Sequence, residues 1–437
     1  MSLKLFESIL DKDYLLILTG TYNVDSVISS IALTLYRYLN EKITHTAFID
    51  TLLSDDILDL VEKYDDILIL GLEDHVKYKD LAHELSSRNT IVISKYSNFT
   101  KDTLIEVLTI GDSSLSHLVY DVLSRRGVNR LISKVLMIGI FWKYFEEKSS
   151  IDENLVKEFV EKNYVKMLDA PPLPGITWRK LCEALTLSLW PYIHEVTGNF
   201  DNVLNFLKEL KISDDVKYLD LNDELLNNLF RRIVLHMLDK GFTSQYIDLL
   251  LSNNYLLDDV DVLEYLLTLE AIMGIQDSAY HPLSILVKGK ELIRSSSVVK
   301  LCHQYIEDLA RAFSKVLTYK VEDDFKYLRI VKFDKKLSQT LLVRLCYLLS
   351  KLTSSRKYCY VIHYEDDNYD VLGIVTKREV VLRTLSEVDG NYACKFFKNY
   401  HVVRIEDNVE KFLRNLDVII DDEYSRKSKT TDTSYRL

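Results

Sequence analysis

A chain of 437 residues, of which 47% are apolar, is long enough to bury more than one hydrophobic core, so wholesale disorder is excluded and two or three domains are expected. No apolar run reaches the ~18 residues of a membrane-spanning helix, and the start MSLKLFESILDKD is unlike a signal peptide, so we expect a cytoplasmic protein. The formal net charge of −11 disfavours a free-standing nucleic-acid-binding module, because such binding relies on clustered Lys and Arg, although a local basic groove stays open.

Apolar runs alternate with helical patterns through residues 1–150. The predicted strands are short and rich in Ile and Leu, which is typical of strands buried on both faces; they lie at residues 14–18, 44–49, 67–70 and 91–93. Apolar spacing near 3.6 predicts a helix at residues 27–38. This alternation predicts an α/β domain with a mainly parallel sheet.

A mostly helical region is predicted for residues 151–322. Three of the five prolines fall within residues 170–175, APPLPG, and mark a boundary or a rigid connector. Helical spacing of apolar residues then recurs at residues 178–190, 202–210, 224–238 and 262–275.

Strand patterns return from residue 323 onward. Residues 328–333, 358–364 and 370–376 predict strands, and residues 337–352 predict a helix. Residues 323–420 are therefore expected to form a smaller α/β domain. The tail, residues 421–437, is polar without an apolar face and is expected to be disordered.

The turn after the first predicted strand reads Gly20-Thr21-Tyr22-Asn23-Val24-Asp25-Ser26. It resembles, position by position, the Gly-Asp-Tyr-Asp-Val-Asp-Gly loop of the DHH phosphoesterase superfamily, which includes the RecJ nucleases and whose aspartates hold divalent metal. Thr21 and Asn23 stand at the first two acidic positions, and Asp25 alone remains. One carboxylate cannot hold two hard cations such as Mn²⁺. A simpler role for Asp25 is to cap the helix that begins near Ser26.

The other ligand positions implied by this resemblance also lack their usual residues. Gly71 occupies the second acidic position, with Glu73 and Asp74 as the nearby acids. The Asp-His-His triplet that names the superfamily corresponds to Ser94-Lys95-Tyr96, and Lys143 stands at or next to the fourth acidic position. Two ammonium groups, on Lys95 and Lys143, would repel a divalent ion.

Asp74 and the adjacent His75 could form a metal-binding pair, but a solvated loop is the simpler expectation for this polar segment.

The C-terminal region resembles the DHH-associated domain, which binds substrate and ends in a Gly-Gly-Gly-His loop. The corresponding residues 390–401 keep Gly390 and His401 at their ends but have lost most glycines. Without them the backbone cannot approach a phosphate closely. His401 is either a remnant of the motif histidine or an ordinary core or surface histidine.

One branch of the superfamily, the cell division control protein 45 family, has lost its catalytic groups and joins the GINS complex and the MCM hexamer in the replicative CMG helicase. The resemblance to an archaeal member of this branch implies a non-catalytic DNA replication scaffold, associated with the chromosome and without metal or other cofactor. Its implied partners are GINS and MCM, with single-stranded DNA as a further candidate. The alternative is a residual Mn²⁺-dependent single-strand exonuclease or phosphodiesterase that uses Asp25, Glu73 and Asp74.

Overall fold

The first region is built on five parallel strands, and each predicted apolar run forms one of them. The computed structural model describes residues 2–22, 24–53, 55–72, 74–94, 105–111, 113–147, 150–275, 281–319, 325–356, 358–366, 369–388, 391–406 and 408–433. The strands of the first region are β1 (Tyr14–Gly20), β2 (Ile43–Ile49), β3 (Asp66–Leu70), β4 (His75–Lys77), β5 (Asn89–Ser94) and β6 (Glu106–Thr109). All except β4 form one sheet in the order β2-β1-β3-β5-β6. Its strands pair in parallel, which confirms the prediction of a mainly parallel sheet.

Among the described residues of this region the helices are α1 (Ser2–Leu10), α2 (Val24–Leu39), α3 (Asp55–Val61), α4 (Lys79–Ser86), α5 (Leu115–Arg125) and α6 (Arg130–Glu147). Helix α2 corresponds to the helix predicted at residues 27–38 and contacts both α5 and α6. Strands β1, β3 and β5 are almost fully buried, because the sheet is covered on both faces.

The middle region is mostly helical, with one small antiparallel sheet that the sequence did not indicate. Its elements are α7 (Ser150–Glu161), β7 (Lys166–Leu168), α8 (Leu181–Thr186), α9 (Phe200–Glu209), α10 (Asp223–Asp239), α11 (Ser244–Ile247), β8 (Asn254–Leu257), β9 (Val260–Asp261), α12 (Val262–Gly274), α13 (Pro282–Lys288), α14 (Lys290–Ile293) and α15 (Ser296–Thr318). Of residues 178–190, only α8 is α-helical. Leu187, Leu189 and Trp190 lie on the irregular backbone that follows α8. Their apolar side chains are nevertheless buried in the core.

The C-terminal region is a second α/β unit around a mixed sheet. It contains β10 (Leu328–Lys332), α16 (Gln339–Ser350), β11 (Cys359–Asp366), β12 (Tyr369–Val375), α17 (Arg378–Leu385), β13 (Tyr392–Phe396), β14 (His401–Ile405) and α18 (Val409–Thr433). The strand order is β10-β11-β12-β14-β13-β4, so a strand of the first region completes this sheet.

Helix α18 differs from the expectation for the tail, because it continues through residues 421–433. Its first part packs on the C-terminal sheet through Phe412, Leu413 and Leu416. A helix that is already nucleated gains one backbone hydrogen bond for each residue added, so it extends without an apolar face of its own. None of the helices that the structure describes is both long and apolar enough to cross a membrane.

A buried ion cluster joins the three regions. The guanidinium of Arg344, on α16, contacts the carboxylates of Glu146 on α6 and Glu270 on α12, and all three side chains are at most 4% exposed. The indoles of Trp190 and Trp142 donate to Glu146 (2.8 Å) and Glu270 (3.1 Å). Burial alone would lower the pKa of Arg344, but the two carboxylates raise it well above its ordinary value, so the cluster holds a charged guanidinium.

Candidate functional site

A cleft of about 790 Å³ lies where the three regions meet. Four residues singled out from the sequence line it: Asp25, Gly71, Ser94 and Lys143. Gly71 follows strand β3 and Ser94 ends β5, so the cleft opens at the carboxyl ends of the parallel strands, where ligands bind in sheets of this kind.

Several singled-out residues cannot be assigned to the cleft. Asn23, Glu73, Lys95, Tyr96 and Gly390 lie outside the described residues. Thr21 and His401 are described but do not line the cleft, and their contacts follow below.

Asp25 caps a helix, but not the helix on which it lies. Its side chain is in the first turn of α2 and only 7% exposed. One carboxylate oxygen accepts from the backbone N–H of Leu115 (2.7 Å) and the other from that of Ser116 (2.8 Å). These are the first two residues of α5, whose N-terminal N–H groups have no partner within their own helix. Burial raises the pKa of Asp25, although the bonds from Ser116 and Leu115 oppose that shift.

The loop that carries Thr21 is covered by the C-terminal region. The Thr21 hydroxyl donates to the Asp50 carboxylate, and the Thr21 carbonyl accepts from the Thr340 hydroxyl at 3.0 Å. The hydroxyl of Tyr22 accepts from the guanidinium of Arg404, and Tyr22 is only 1% exposed. Asp50 was not singled out from the sequence; its one signal is that it directly follows a predicted strand.

Asp74 is fully buried, so the expectation of a solvated loop was wrong. Its carboxylate accepts from the Ser94 hydroxyl at 2.6 Å, from the Lys395 ammonium at 3.3 Å and from the Phe396 backbone N–H at 2.8 Å. The reason is the strand that follows: β4 pairs with β13 and carries Asp74 into the C-terminal sheet. The structure thus brings Ser94 and Asp74 together. Lys395 of the C-terminal region pairs with the same carboxylate.

Gly71 leaves no room for the aspartate implied at its position. Its φ is +59°, and a Cβ atom added there would lie 2.0 Å from the hydroxyl oxygen of Ser26. The side chain of Ser26, on α2, therefore fills the space that a second acidic ligand would need.

The lining of the cleft is mainly basic. Lys143 projects from α6 and is 5% exposed. The lysines of the lining are Lys143, Lys351, Lys377, Lys395 and Lys398, and its acids are Asp25, Glu146 and Glu423. Asp25 and Glu146 are engaged in the helix cap and the ion cluster, while Lys395 pairs with Asp74 and Lys377 with Glu423. Three further lysines, Lys143, Lys351 and Lys398, make the cleft a local basic surface on an acidic protein.

His401 is the first residue of β14. Its side chain is buried, and its Nε2 atom lies 3.0 Å from the carbonyl oxygen of Thr376. Burial lowers the pKa of His401 to about 3, so its imidazole is neutral at physiological pH.

Comparison with sequence models of known protein families assigns the chain to a family. A sequence model described as archaeal Cdc45 matches residues 110–379, which is more than half of the chain. The protein belongs to the archaeal Cdc45 family. This membership confirms the resemblance found in the sequence and indicates a role in DNA replication. Comparison with curated proteins found no match.

The comparison with solved structures finds one that shares the fold of this Cdc45-family protein and others that are similar to a lesser degree. The crystal structure of Cdc45 from Entamoeba histolytica superposes with a TM-score of 0.58 at 12% identity and covers 95% of this chain and 98% of that one. Exonuclease RecJ bound to manganese gives a TM-score of 0.46 at 10% identity over 95% of this chain and 92% of that one. RecJ from Thermus thermophilus in complex with Mn²⁺ gives 0.45 at 10% identity, over 95% and 53%.

The residues described in this Cdc45-family protein do not fit a divalent metal pair. Within the described ranges, no three His, Cys, Asp or Glu side chains are grouped so that they could hold a metal ion. The two oxygens of Asp25 accept from the α5 backbone, and those of Asp74 accept from Ser94, Lys395 and Phe396. Both carboxylates are thus directed at donors of the protein itself and not at a shared metal position.

Proposed function

We propose that this protein is a non-catalytic factor of archaeal DNA replication, which acts on the chromosome as a scaffold that bridges GINS and MCM in the replicative helicase. The observation that carries the non-catalytic part is the engagement of Asp25: the one acid left in the first loop binds two backbone N–H groups of α5. An acid that stabilises the fold in this way is not available to a metal ion.

A residual exonuclease is the weaker alternative, because a second candidate metal ligand, Asp74, is also engaged by the protein itself. Asp74 is bonded to Lys395, whose ammonium neutralises the charge that a metal would need. Thr21 and Ser94 supply hydroxyls instead of carboxylates, and Lys143 adds a positive charge to the cleft.

Single-stranded DNA is the further partner that the cleft supports. Lys143, Lys351 and Lys398 would neutralise phosphates, and the stacked rings of Phe397 and Tyr400, with centroids 4.5 Å apart, form part of the same lining. Lys377 and Lys398 are the exposed lysines of the lining, and Asn399, next to Lys398, is exposed as well. A DNA strand bound in the cleft would be guided along the protein rather than cut.

Size-exclusion chromatography with GINS from the same organism tests the proposal. We expect a complex at micromolar or lower concentration that persists at moderate salt, because apolar and aromatic anchors supply most of the affinity of such interfaces. Adding the pair to MCM should raise helicase activity. Separate elution at every salt concentration would contradict the scaffold and leave the free-standing binding module as the better account.

The contribution of the cleft is tested separately by fluorescence anisotropy with a labelled single-stranded oligonucleotide. Lys143→Met together with Lys398→Met should weaken binding and reduce its salt dependence. The matched control is Lys63→Met together with Lys208→Met, which removes two exposed lysines that do not line the cleft. Equal affinities of the two double variants would show that the cleft is not where the strand binds.

A further inference from the structure

One connection between the first and C-terminal regions is a shared sheet. Strand β4 pairs antiparallel with β13, with Lys77 opposite Tyr392 and His75 opposite Cys394. The Asp74 N–H extends this pairing by donating to the Cys394 carbonyl at 2.8 Å. Separating the two regions would break these backbone bonds.

The Asp74–Lys395 ion pair reinforces this connection. Both side chains are at most 6% exposed, and the Lys395 ammonium also donates to the Leu72 carbonyl at 2.8 Å. Separation would leave a buried carboxylate and a buried ammonium without each other. Together, the β4–β13 pairing and this ion pair are called the sheet clamp.

A second connection uses helix α16 and a different set of residues. The Arg344 cluster ties α16 to α6 of the first region and to α12 of the middle region, with Arg344 Nε 3.1 Å from a Glu270 oxygen. One turn earlier on α16, the Thr340 hydroxyl donates to the Thr21 carbonyl. These contacts are called the helix clamp.

The two clamps share no residue, and both border the cleft. Lys395 lines it from the C-terminal sheet, and Glu146 lines it from α6. Opening the cleft by a hinge would require breaking at least one clamp, and the helix clamp cannot open without leaving buried charges unpaired.

We infer that the sheet clamp and the helix clamp fix the width of the cleft, so that this protein does not open and close around a ligand. The width of the cleft is then preset, and the first and C-terminal regions move as one rigid body. This inference holds whether or not the chain binds GINS.

Double electron–electron resonance on the full chain measures the relevant distance. Spin labels at Lys63→Cys and Glu410→Cys report on the first and C-terminal regions, since both positions are exposed. The five native cysteines are buried, so the introduced ones react selectively. We expect one narrow distance distribution that shifts by less than about 2 Å when a single-stranded oligonucleotide is added. A broad or bimodal distribution, or a larger shift, would overturn the inference.

Variants of the sheet clamp, made in the same spin-labelled protein, test whether this clamp fixes the width of the cleft. Asp74→Asn with Lys395→Met removes the ion pair of the sheet clamp while keeping similar side-chain volumes, and it should broaden the distribution. The control, Lys326→Met, removes a surface pair with Asp421 within the C-terminal region and away from the cleft lining, and it should leave the distribution unchanged. An unchanged distribution in the clamp variant would contradict the role of that clamp. If the clamp variant does not fold, the measurement on the labelled parent still decides whether the cleft is fixed.

Discussion

The Asp25 carboxylate lies 2.8 Å from the backbone nitrogen of Ser116, a residue 91 positions further along the chain. Through this bond and the one from Leu115, the loop after β1 holds the N-terminus of α5. Asp25, for which the resemblance to the DHH superfamily implies a metal-ligand position, is thus part of the connection between two helices.

Replacing Asp25 should cost stability. Asp25→Ala leaves two buried N–H groups without an acceptor, so we expect the free energy of unfolding to fall by about 2 kcal/mol or more. Urea denaturation measures the loss. The control is Asp121→Ala, which removes a half-exposed acid from α5 itself and should cost less than about 0.5 kcal/mol. Equal effects of the two variants would refute the helix-cap role.

Gly71 should tolerate a side chain less well than a glycine of the same backbone conformation. Gly111 has φ +61°, close to the +59° of Gly71, but a Cβ atom added at Gly111 would meet nothing within 4 Å. Gly111→Ala should therefore cost about 1 kcal/mol from backbone strain alone.

Gly71→Ala should cost about 1–3 kcal/mol more, because its Cβ would overlap the Ser26 hydroxyl. Adding Ser26→Gly should recover part of this difference. If the Gly71→Ala and Gly111→Ala variants unfold at the same urea concentration, the side chain of Ser26 does not fill the space beside Gly71.

The Arg344 cluster predicts that one substitution in it destabilises the protein more than three substitutions made together. Arg344→Met leaves Glu146 and Glu270 buried without their cationic partner and should cost about 3–5 kcal/mol. Adding Glu146→Gln and Glu270→Gln removes the buried charges but keeps acceptor oxygens for Trp190 and Trp142, so most of the stability should return. Tryptophan fluorescence during urea denaturation follows both variants. A cost below about 1 kcal/mol for Arg344→Met would argue against the cluster.

The parallel sheet could be predicted because its signal is local. Residues 14–18 and 67–70 are uninterrupted apolar runs, and burial on both faces is the only environment that suits them. The same holds for α2, whose apolar spacing lies within one stretch of sequence. These elements follow from hydrophobic pattern alone.

The contacts that define the site could not be predicted, because they join distant residues. Asp74 and Lys395 are 321 positions apart, and nothing near Asp74 distinguishes a buried acid from a solvated one. Asp25 was recognised from its motif, but its acceptance of two N–H groups from α5 depends on how helices pack. The sequence therefore singled out four residues that line the cleft and left the state of its acids undetermined.

Asp261 predicts a pH dependence of stability. Its buried carboxylate accepts from the N–H groups of Leu263 (2.8 Å) and Gly175 (3.0 Å) and from the Asn254 amide (2.9 Å). Burial, with a contribution from Glu264, raises the pKa of Asp261 from 3.8 to about 8. A raised pKa means that the folded state holds the proton more tightly, so the stabilisation is complete below pH 3.8 and is lost as the pH rises to about 8.

The stability difference between the wild type and Asp261→Asn should therefore change with pH. As the pH rises from about 5 to about 8, the wild type should lose up to about 1.4 kcal/mol per pH unit relative to the variant. Urea denaturation at constant ionic strength gives the comparison. A difference that stays constant over this range would mean that the folded state does not bind this proton.

The central claim, that the protein has no hydrolytic activity, is tested most directly by incubating the purified chain with Mn²⁺ and end-labelled single-stranded DNA. We expect no digestion above a protein-free control. Thr21→Asp with Asn23→Asp should also be inactive, because Gly71 has no room for a ligand and Lys143 remains. Metal-dependent digestion by the wild type that disappears in Asp25→Ala would contradict the account.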